Sequence, residues 1–294
     1  MKRIAVIMTV FNRSDKTIAC LHSLFECTVQ PESGVSFDVW LTDDGSTDNT
    51  ATKLADEFSD RTINILKGDG NLFWNGGMIK VWSAAINHGG YDGYLWLNND
   101  VLVLPDLWSE LIAADEYSFR NYGMRGIYVG SLMDMKKEKL SYGGFNFVNK
   151  FTLKDEFLIP DGTFQNCQCA HGNITYVSDE VVDRIGIFYG GYVHGGTDHD
   201  YTYRAHKAGI PVFILRQYVG LCDNDHNSSR NILEGMSVRE RIQFLQSPHG
   251  LNLHNTLLFQ KRCFPWRYPF VWLTSYAKAL FPKTIYSIRN IISR

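Results

Sequence analysis

The sequence predicts an α/β protein on a mostly parallel, doubly wound sheet, and three observations carry that prediction. Strand-like apolar runs alternate with helix-like stretches four times before residue 101, the pattern of βα units. Polar clusters fall at the carboxyl ends of those runs, the edge where ligands bind in open α/β sheets. From 127 to 177 the pattern changes to short strands and Gly-rich turns (Gly143-Gly144, Asp161-Gly162), as for a small antiparallel insertion.

The elements follow in order. Ile4–Val10 is a continuous apolar run, as for a strand buried on both faces. It leads directly into Phe11-Asn12-Arg13 without a small-residue cleavage site, so it reads as a first strand rather than a secretion signal. Ser14 opens a helix with Ile18, Leu21, Leu24 and Phe25 at helical spacing. Phe37–Leu41 is a second strand, and Ser46 or Thr47 is placed to cap the helix holding Leu54, Ala55 and Phe58. Ile63–Leu66 is a third strand. A helix starting near Gly76 carries Ile79, Trp82, Ala85 and Ile86, and Tyr94–Leu97 is a fourth strand. Helical signals return at Asp179–Ile185 and Asp198–Ala208, followed by a strand at Val212–Leu215.

Composition sets limits. The chain has 294 residues, 45% apolar and 20% charged, which excludes long disorder and a fibrous chain. No apolar run reaches the ~18 residues of a spanning helix. The six cysteines lack a disulfide or zinc pattern, because Cys167 and Cys169 are too close to bridge easily and no CxxC occurs. A reducing compartment is expected. The net charge is −2, and residues 260–294 hold seven basic residues and no acid, so the preceding 259 carry −9. That balance gives no reason to expect a nucleic-acid partner. One catalytic domain over 1–259 and a basic, aromatic helical segment over 260–294 are expected.

Four clusters bear chemistry. Asp43-Asp44-Gly45-Ser46 ends a strand; its carboxylates suit a nucleobase N–H or ribose hydroxyl, and equally a turn and helix cap. Asn98-Asn99-Asp100 ends a very apolar strand; a carboxylate there suits a hard divalent cation that also holds a diphosphate, or simply a turn. Asp198, after Gly195-Gly196-Thr197, sits near a helix start. It is a candidate general base for an acceptor hydroxyl, or a carboxylate stabilising the helix dipole. His226, in Cys222-Asp223-Asn224-Asp225-His226-Asn227, is a candidate metal ligand or an ordinary surface histidine. His88, His171, His194, His199, His206, His249 and His254 show no metal-ligand spacing.

The order of these pieces is more specific than any one of them. A strand ending Thr-x-Phe-Asn-Arg is followed by one ending Asp-Asp-Gly-Ser. Gly70-Asn71-Leu72-Phe73-Trp74-Asn75-Gly76-Gly77 comes next, then an apolar strand ending x-Asn-Asp, then Thr-Asp-x-Asp-x-x-x-Arg about 100 residues later. Together they resemble the inverting family 2 glycosyltransferases with the GT-A fold, from about Arg3 to about Leu215. The Gly70–Gly77 segment is most similar to the bacterial rhamnosyltransferase-like branch.

The resemblance implies roles position by position. Thr9, Phe11 and Arg13 match the first nucleotide-binding loop. Asp43 and Asp44 match the pair that reads base and ribose, with Asp44 preferred for the base. Asn75, Asn98 and Asn99 join the nucleotide-binding set. Asp100 matches the final, metal-binding Asp of the Asp-x-Asp motif, whose first position is Asn98 here, one negative charge fewer. His226 resembles the late histidine that completes the metal shell in some members, and Asp198 matches the catalytic base. The implied cofactor is Mg²⁺ or Mn²⁺, and the implied donor a dTDP- or UDP-sugar. A saccharide or lipid-linked saccharide accepts, as in cell-surface polysaccharide synthesis. An enzyme of this kind is expected in the cytoplasm, peripheral on the inner face of the membrane, where the basic aromatic tail would meet anionic lipid.

Two other classes remain at this stage. A catalytically inactive nucleotide-sugar-binding or scaffold protein would share the fold. A nucleotidyltransferase would also place a strand-end Asp beside a nucleotide, but the first βα loop has only Arg13 and Lys16 rather than a Gly-rich basic signature.

Overall fold

The computed structural model describes residues 3–27, 34–224, 233, 235–248 and 250–282. Its first strand, β1 (Arg3–Val10), sends alternate side chains into two separate cores: Ile4, Val6, Met8 and Val10 into one, Ala5 and Ile7 into the other. A period of two with apolar residues on both faces makes a central strand. The chain continues through α1 (Ser14–Glu26), β2 (Ser36–Asp43), α2 (Thr50–Glu57), β3 (Ile63–Lys67), α3 (Phe73–His88) and β4 (Gly93–Leu97). Next come β5 (Leu102–Val103), α4 (Leu107–Tyr122), β6 (Ile127–Met133), β7 (Leu140–Tyr142), β8 (Gly144–Asn149) and β9 (Lys154–Phe157). The remaining elements are β10 (Gln165–Asn166), β11 (Cys169–Ala170), β12 (Ile174–Ser178), α5 (Asp179–Ile185), α6 (Thr197–Lys207), β13 (Val212–Leu221), α7 (Val238–Gln246), α8 (Leu253–Cys263) and α9 (Tyr268–Leu280).

The large sheet runs β10-β13-β6-β12-β4-β1-β2-β3, with β5 on β13 and β7 on β6. The β4-β1-β2-β3 half is parallel, and β12 enters antiparallel between β4 and β6. The register pairs Val10 with Asp43 and Asp43 with Lys67, so these strands present their carboxyl ends at one edge. Helices α1, α2 and α4 cover one face through Leu21, Leu54 and Trp108, while α3, α5 and α6 cover the other through Trp82, Val181 and Tyr201. The sheet is therefore wound on both sides. A second, antiparallel sheet, β11-β8-β9, forms within the 127–177 segment.

An aromatic nest fixes α6 against the sheet. Trp82 on α3, Trp96 on β4, Phe188 in the loop before α6 and Tyr201 on α6 meet with ring centroids 4.5–5.6 Å apart. Such pairs contribute ~0.5–1.5 kcal/mol each beyond their buried area.

Three local expectations change. α3 starts at Phe73 rather than near Gly76, because the Asp44 carboxylate accepts the backbone N–H of Leu72 and Phe73 and so caps the helix from another strand. Neither Ser46 nor Thr47 caps α2. Ser46 Oγ accepts the Asn12 N–H, the Thr47 N–H goes to Asn12 Oδ1, and Asp48 holds the Thr50 N–H instead. α4, absent from the sequence reading, packs Leu107, Trp108 and Leu111 into the core. Helix α8 runs through residue 260, and with α7 and α9 it forms a small third core around Leu245, Leu253 and Ala279.

Candidate functional site

At the carboxyl edge of the parallel strands lies a cleft of 510 Å³. Thr9 lines it from the end of β1, Phe11 and Arg13 just after β1, Asp44 after β2, Phe73 and Trp74 at the start of α3, and Asn99 after β4. His194 reaches it from the loop before α6. Gly77 brings α3 against β1: a Cβ there would collide with the Thr9 side chain, so a larger residue would force the two apart.

The floor of the cleft is built around Asp44. Its side chain is buried, with Oδ1 accepting Gly70 N–H at 2.9 Å and Oδ2 accepting Leu72 and Phe73 N–H at 3.0 Å each. Phe73 stands at φ 53°, a region that bulky residues avoid, and the Asp44 bond fixes its amide there. Asp43 instead closes its own turn by accepting the Ser46 N–H at 2.9 Å and is not among the residues lining the cleft.

Asn98-Asn99-Asp100 divides its work among three directions. Asn98 Oδ1 accepts the Trp74 indole N–H at 2.9 Å, locking that ring. Asn99 Nδ2 donates to Thr17 Oγ1 at 3.0 Å and ties the strand end to α1. Asp100 pairs with the Arg13 guanidinium at 2.8 Å and accepts the Cys222 thiol at 3.8 Å. Asp100 also lines an adjoining 300 Å³ pocket with Lys16 and Asp223. Nearby Cys20 is held protonated, its pKa pushed up by burial and by the Asp100 charge.

Asp198 stands at the start of α6, half-buried. Its Oδ2 accepts Gly172 N–H at 3.0 Å and its Oδ1 accepts its neighbour His199 N–H at 2.9 Å. Gly172 is the spacer between Asp198 and the cleft: a Cβ there would sit 3.1 Å from the Trp74 ring and 3.4 Å from Asp198 Cβ. Trp74, Gly172 and Asp198 therefore form one continuous wall. Beside them His171 is pushed below its ordinary 6.5, first by burial and then by repulsion from His199, so the imidazole beside Asp198 is neutral at pH 7.

Thr9, Phe11, Arg13, Asp44 and Asn99 thus gather in one cleft, with Asn98 and Asp100 at its edge. Asn75 points elsewhere. It is buried in α3, and its Nδ2 donates to the Tyr189 and Tyr192 carbonyls at 3.1 and 2.8 Å. His226 lies outside the described residues. Among the described residues no three His, Cys, Asp or Glu side chains converge as a metal cluster. Trp74, His171 and Gly172 have no spacing signature of their own. Only Trp74's place inside the Gly70–Gly77 motif could have flagged it.

The family model for "Glycosyl transferase family 2" matches residues 5–185, which contain every residue lining the cleft except His194 and stop short of Asp198. No curated protein matches the chain. Among solved structures, the chain is similar to the mannosyltransferase PcManGT from Pyrobaculum calidifontis in complex with GDP-Man and Mn²⁺. The two are 14% identical, with a TM-score of 0.53 over 99% of this chain and 79% of that one. It is also similar to S. aureus TarS 1-349, at 13% identity and TM-score 0.53 over 96% of this chain and 72% of that one. The UDP-GlcNAc complex of TarS 1-349 gives 13% and 0.54 over 89% and 71%. At such identities the likeness is one of fold.

Proposed function

This chain belongs to glycosyl transferase family 2, and on that premise we propose that it moves a sugar from a nucleoside-diphosphate sugar to an acceptor hydroxyl with inversion at the anomeric carbon. The observation that carries the reading is the wall formed by Trp74, Gly172 and Asp198 beside a cleft lined by Arg13, which pairs with Asp100. A carboxylate for proton removal and a charged pair for a diphosphate are then both available to one cleft.

The chain's own residues divide the work. Asp44 shapes the base pocket and Phe11, half-exposed above it, covers the nucleotide. Arg13 faces the diphosphate. Asp198, held by two backbone N–H groups, takes the acceptor's proton as its oxygen attacks C1 from the face opposite the leaving group. Such general-base assistance is worth ~10²–10⁴ in rate.

Asp100 offers one partly exposed carboxylate at the cleft edge, and a single carboxylate with water and phosphate oxygens suits Mg²⁺ or Mn²⁺. When bound, that cation supplies Lewis-acid stabilisation of the departing diphosphate. The GDP-Man, Mn²⁺ and UDP-GlcNAc named with the similar structures support a nucleotide-sugar donor and a divalent cation. The Gly70–Gly77 segment favours a dTDP- or UDP-linked deoxysugar of the rhamnosyl type.

The acceptor side of the reading is a lipid-linked saccharide. α9 is apolar around most of its circumference, yet only Ala279 is buried. Phe270, Leu273 and Phe281 are 67%, 61% and 63% exposed, and Trp266 and Trp272 stand beside them. Residues 261–282 hold four basic side chains and no acid. No helix among the described residues is long and apolar enough to cross a membrane. A face of this kind suits the surface of an anionic bilayer, peripherally on its cytoplasmic side. Release of nucleoside diphosphate across a panel of nucleotide sugars tests the reading: turnover of one supports it, and turnover of none leaves a binding or scaffold protein.

A further inference from the structure

We infer that α8 is a positioning element for the catalytic loop, acting through Asn255 and Arg262; the inference rests on the assignment of Asp198 as the base. Residues 186–196 lead into Asp198 and include Gly186, Gly190, Gly191, Gly195 and Gly196. Three of these, Gly186, Gly195 and Gly196, take positive φ. Glycine loses more freedom than any other residue when it is fixed, so such a loop holds one conformation only if something outside it binds its backbone.

Helix α8 does so. Asn255 is buried and uses both ends of its amide: Nδ2 donates to the His194 and Gly195 carbonyls at 2.6 and 2.9 Å, and Oδ1 accepts the Val193 N–H at 3.2 Å. Asn252 Nδ2 adds a second donor to the His194 carbonyl at 2.7 Å, and His254 Nε2 reaches the Gly191 carbonyl at 2.9 Å.

A charge pair continues the hold one turn further. Asp200, two residues beyond Asp198 and fully buried, accepts Arg204 Nε on its own helix at 3.0 Å and Arg262 Nε from α8 at 3.0 Å. The Arg262 guanidinium also lies 4.0 Å from the Tyr189 ring centroid, back in the loop. From the opposite side Asn75 binds the Tyr189 and Tyr192 carbonyls. Asn75 directly follows Trp74, which lines the cleft. The loop is thus gripped between the helix that carries the donor wall and the helix that leads to the C-terminal segment. The α8 grip sets where Asp198 stands relative to Trp74.

The test uses the full chain with Asn255→Ala and Arg262→Lys, and Asn252→Ala as a milder variant should Asn255→Ala not fold. Two quantities are read: amide hydrogen exchange by mass spectrometry, and steady-state release of nucleoside diphosphate from the nucleotide sugar that the wild type turns over. The expected result is faster exchange confined to residues 187–199, with β1 and β2 unchanged. With it, kcat falls about 10- to 100-fold while donor KM stays within about twofold. Arg262→Lys keeps the charge and falls between wild type and Asn255→Ala. Unchanged exchange over 187–199 overturns the inference. So does a fall in kcat with equal acceleration across β1 and β2, which marks general destabilisation. If no nucleotide sugar is turned over by the wild type, the functional reading fails, and the exchange pattern alone still decides whether α8 holds the loop.

Discussion

The Asp44 carboxylate accepts the Phe73 backbone N–H at 3.0 Å, so a strand end that faces the cleft is also the cap of the next helix. One residue thereby sets both the floor of the cleft and the start of α3. Hydrogen bonds to a charged group contribute ~1.5–3 kcal/mol each, and Asp44 makes three to backbone N–H groups. Asp44→Ala is expected to lower the urea midpoint by the equivalent of about 4 kcal/mol or more and to weaken UDP binding by calorimetry. An unchanged UDP dissociation constant in the folded variant would leave the cap as its whole role.

Asp100 and Arg13 share one contact at 2.8 Å, and the proposed reaction puts both at the diphosphate. Asp100→Ala should remove most turnover, and excess chelator should do the same to the wild type. Full activity in chelator would assign leaving-group stabilisation to Arg13 and its basic neighbours instead.

His171 makes the fold sensitive to acid. Its folded-state pKa lies below its ordinary 6.5, so between the two values the unfolded chain binds the extra proton. Stability from this group is therefore complete above pH 6.5 and is lost as pH falls towards the folded-state pKa. Between pH 7 and pH 5 the protein should therefore lose stability. Urea midpoints at both pH values should show that drop in the wild type and a smaller one in His171→Gln. Equal drops would remove His171 from the account.

The exposed face of α9 predicts surface binding. The wild type should co-sediment with phosphatidylglycerol vesicles at low salt and be released at high salt. Phe270→Glu with Leu273→Glu, both at exposed positions, should stay in the supernatant while remaining folded. If both proteins stay in the supernatant at low salt, that face does not bind anionic lipid.

What the sequence made legible follows from locality. The β1 run and the α3 pattern of Trp82 and Ala85 depend on neighbours in the chain, and both strand and helix form as read, apart from the start of α3. The start of α3 was misplaced because its cap comes from Asp44, 29 residues away. The same distance effect hid Tyr189 and Tyr192, the partners of Asn75, which lie more than 110 residues on, so from sequence Asn75 reads as nucleotide-binding. Gly172 was invisible because its role, leaving room between Trp74 and Asp198, is defined by what a side chain there would strike. Carboxylates at strand ends were legible as a cleft; the division of Asp43 to a turn and Asp44 to a helix cap required coordinates.

The central claim is that Asp198 removes the acceptor's proton. The most direct measurement is the turnover of Asp198→Asn beside its affinity for nucleoside diphosphate. The substitution keeps the side chain's shape and an oxygen for the Gly172 N–H while deleting the proton acceptor. The account predicts a fall in kcat of at least ~10²-fold with nucleotide affinity retained. Near-normal turnover with intact nucleotide binding would contradict it.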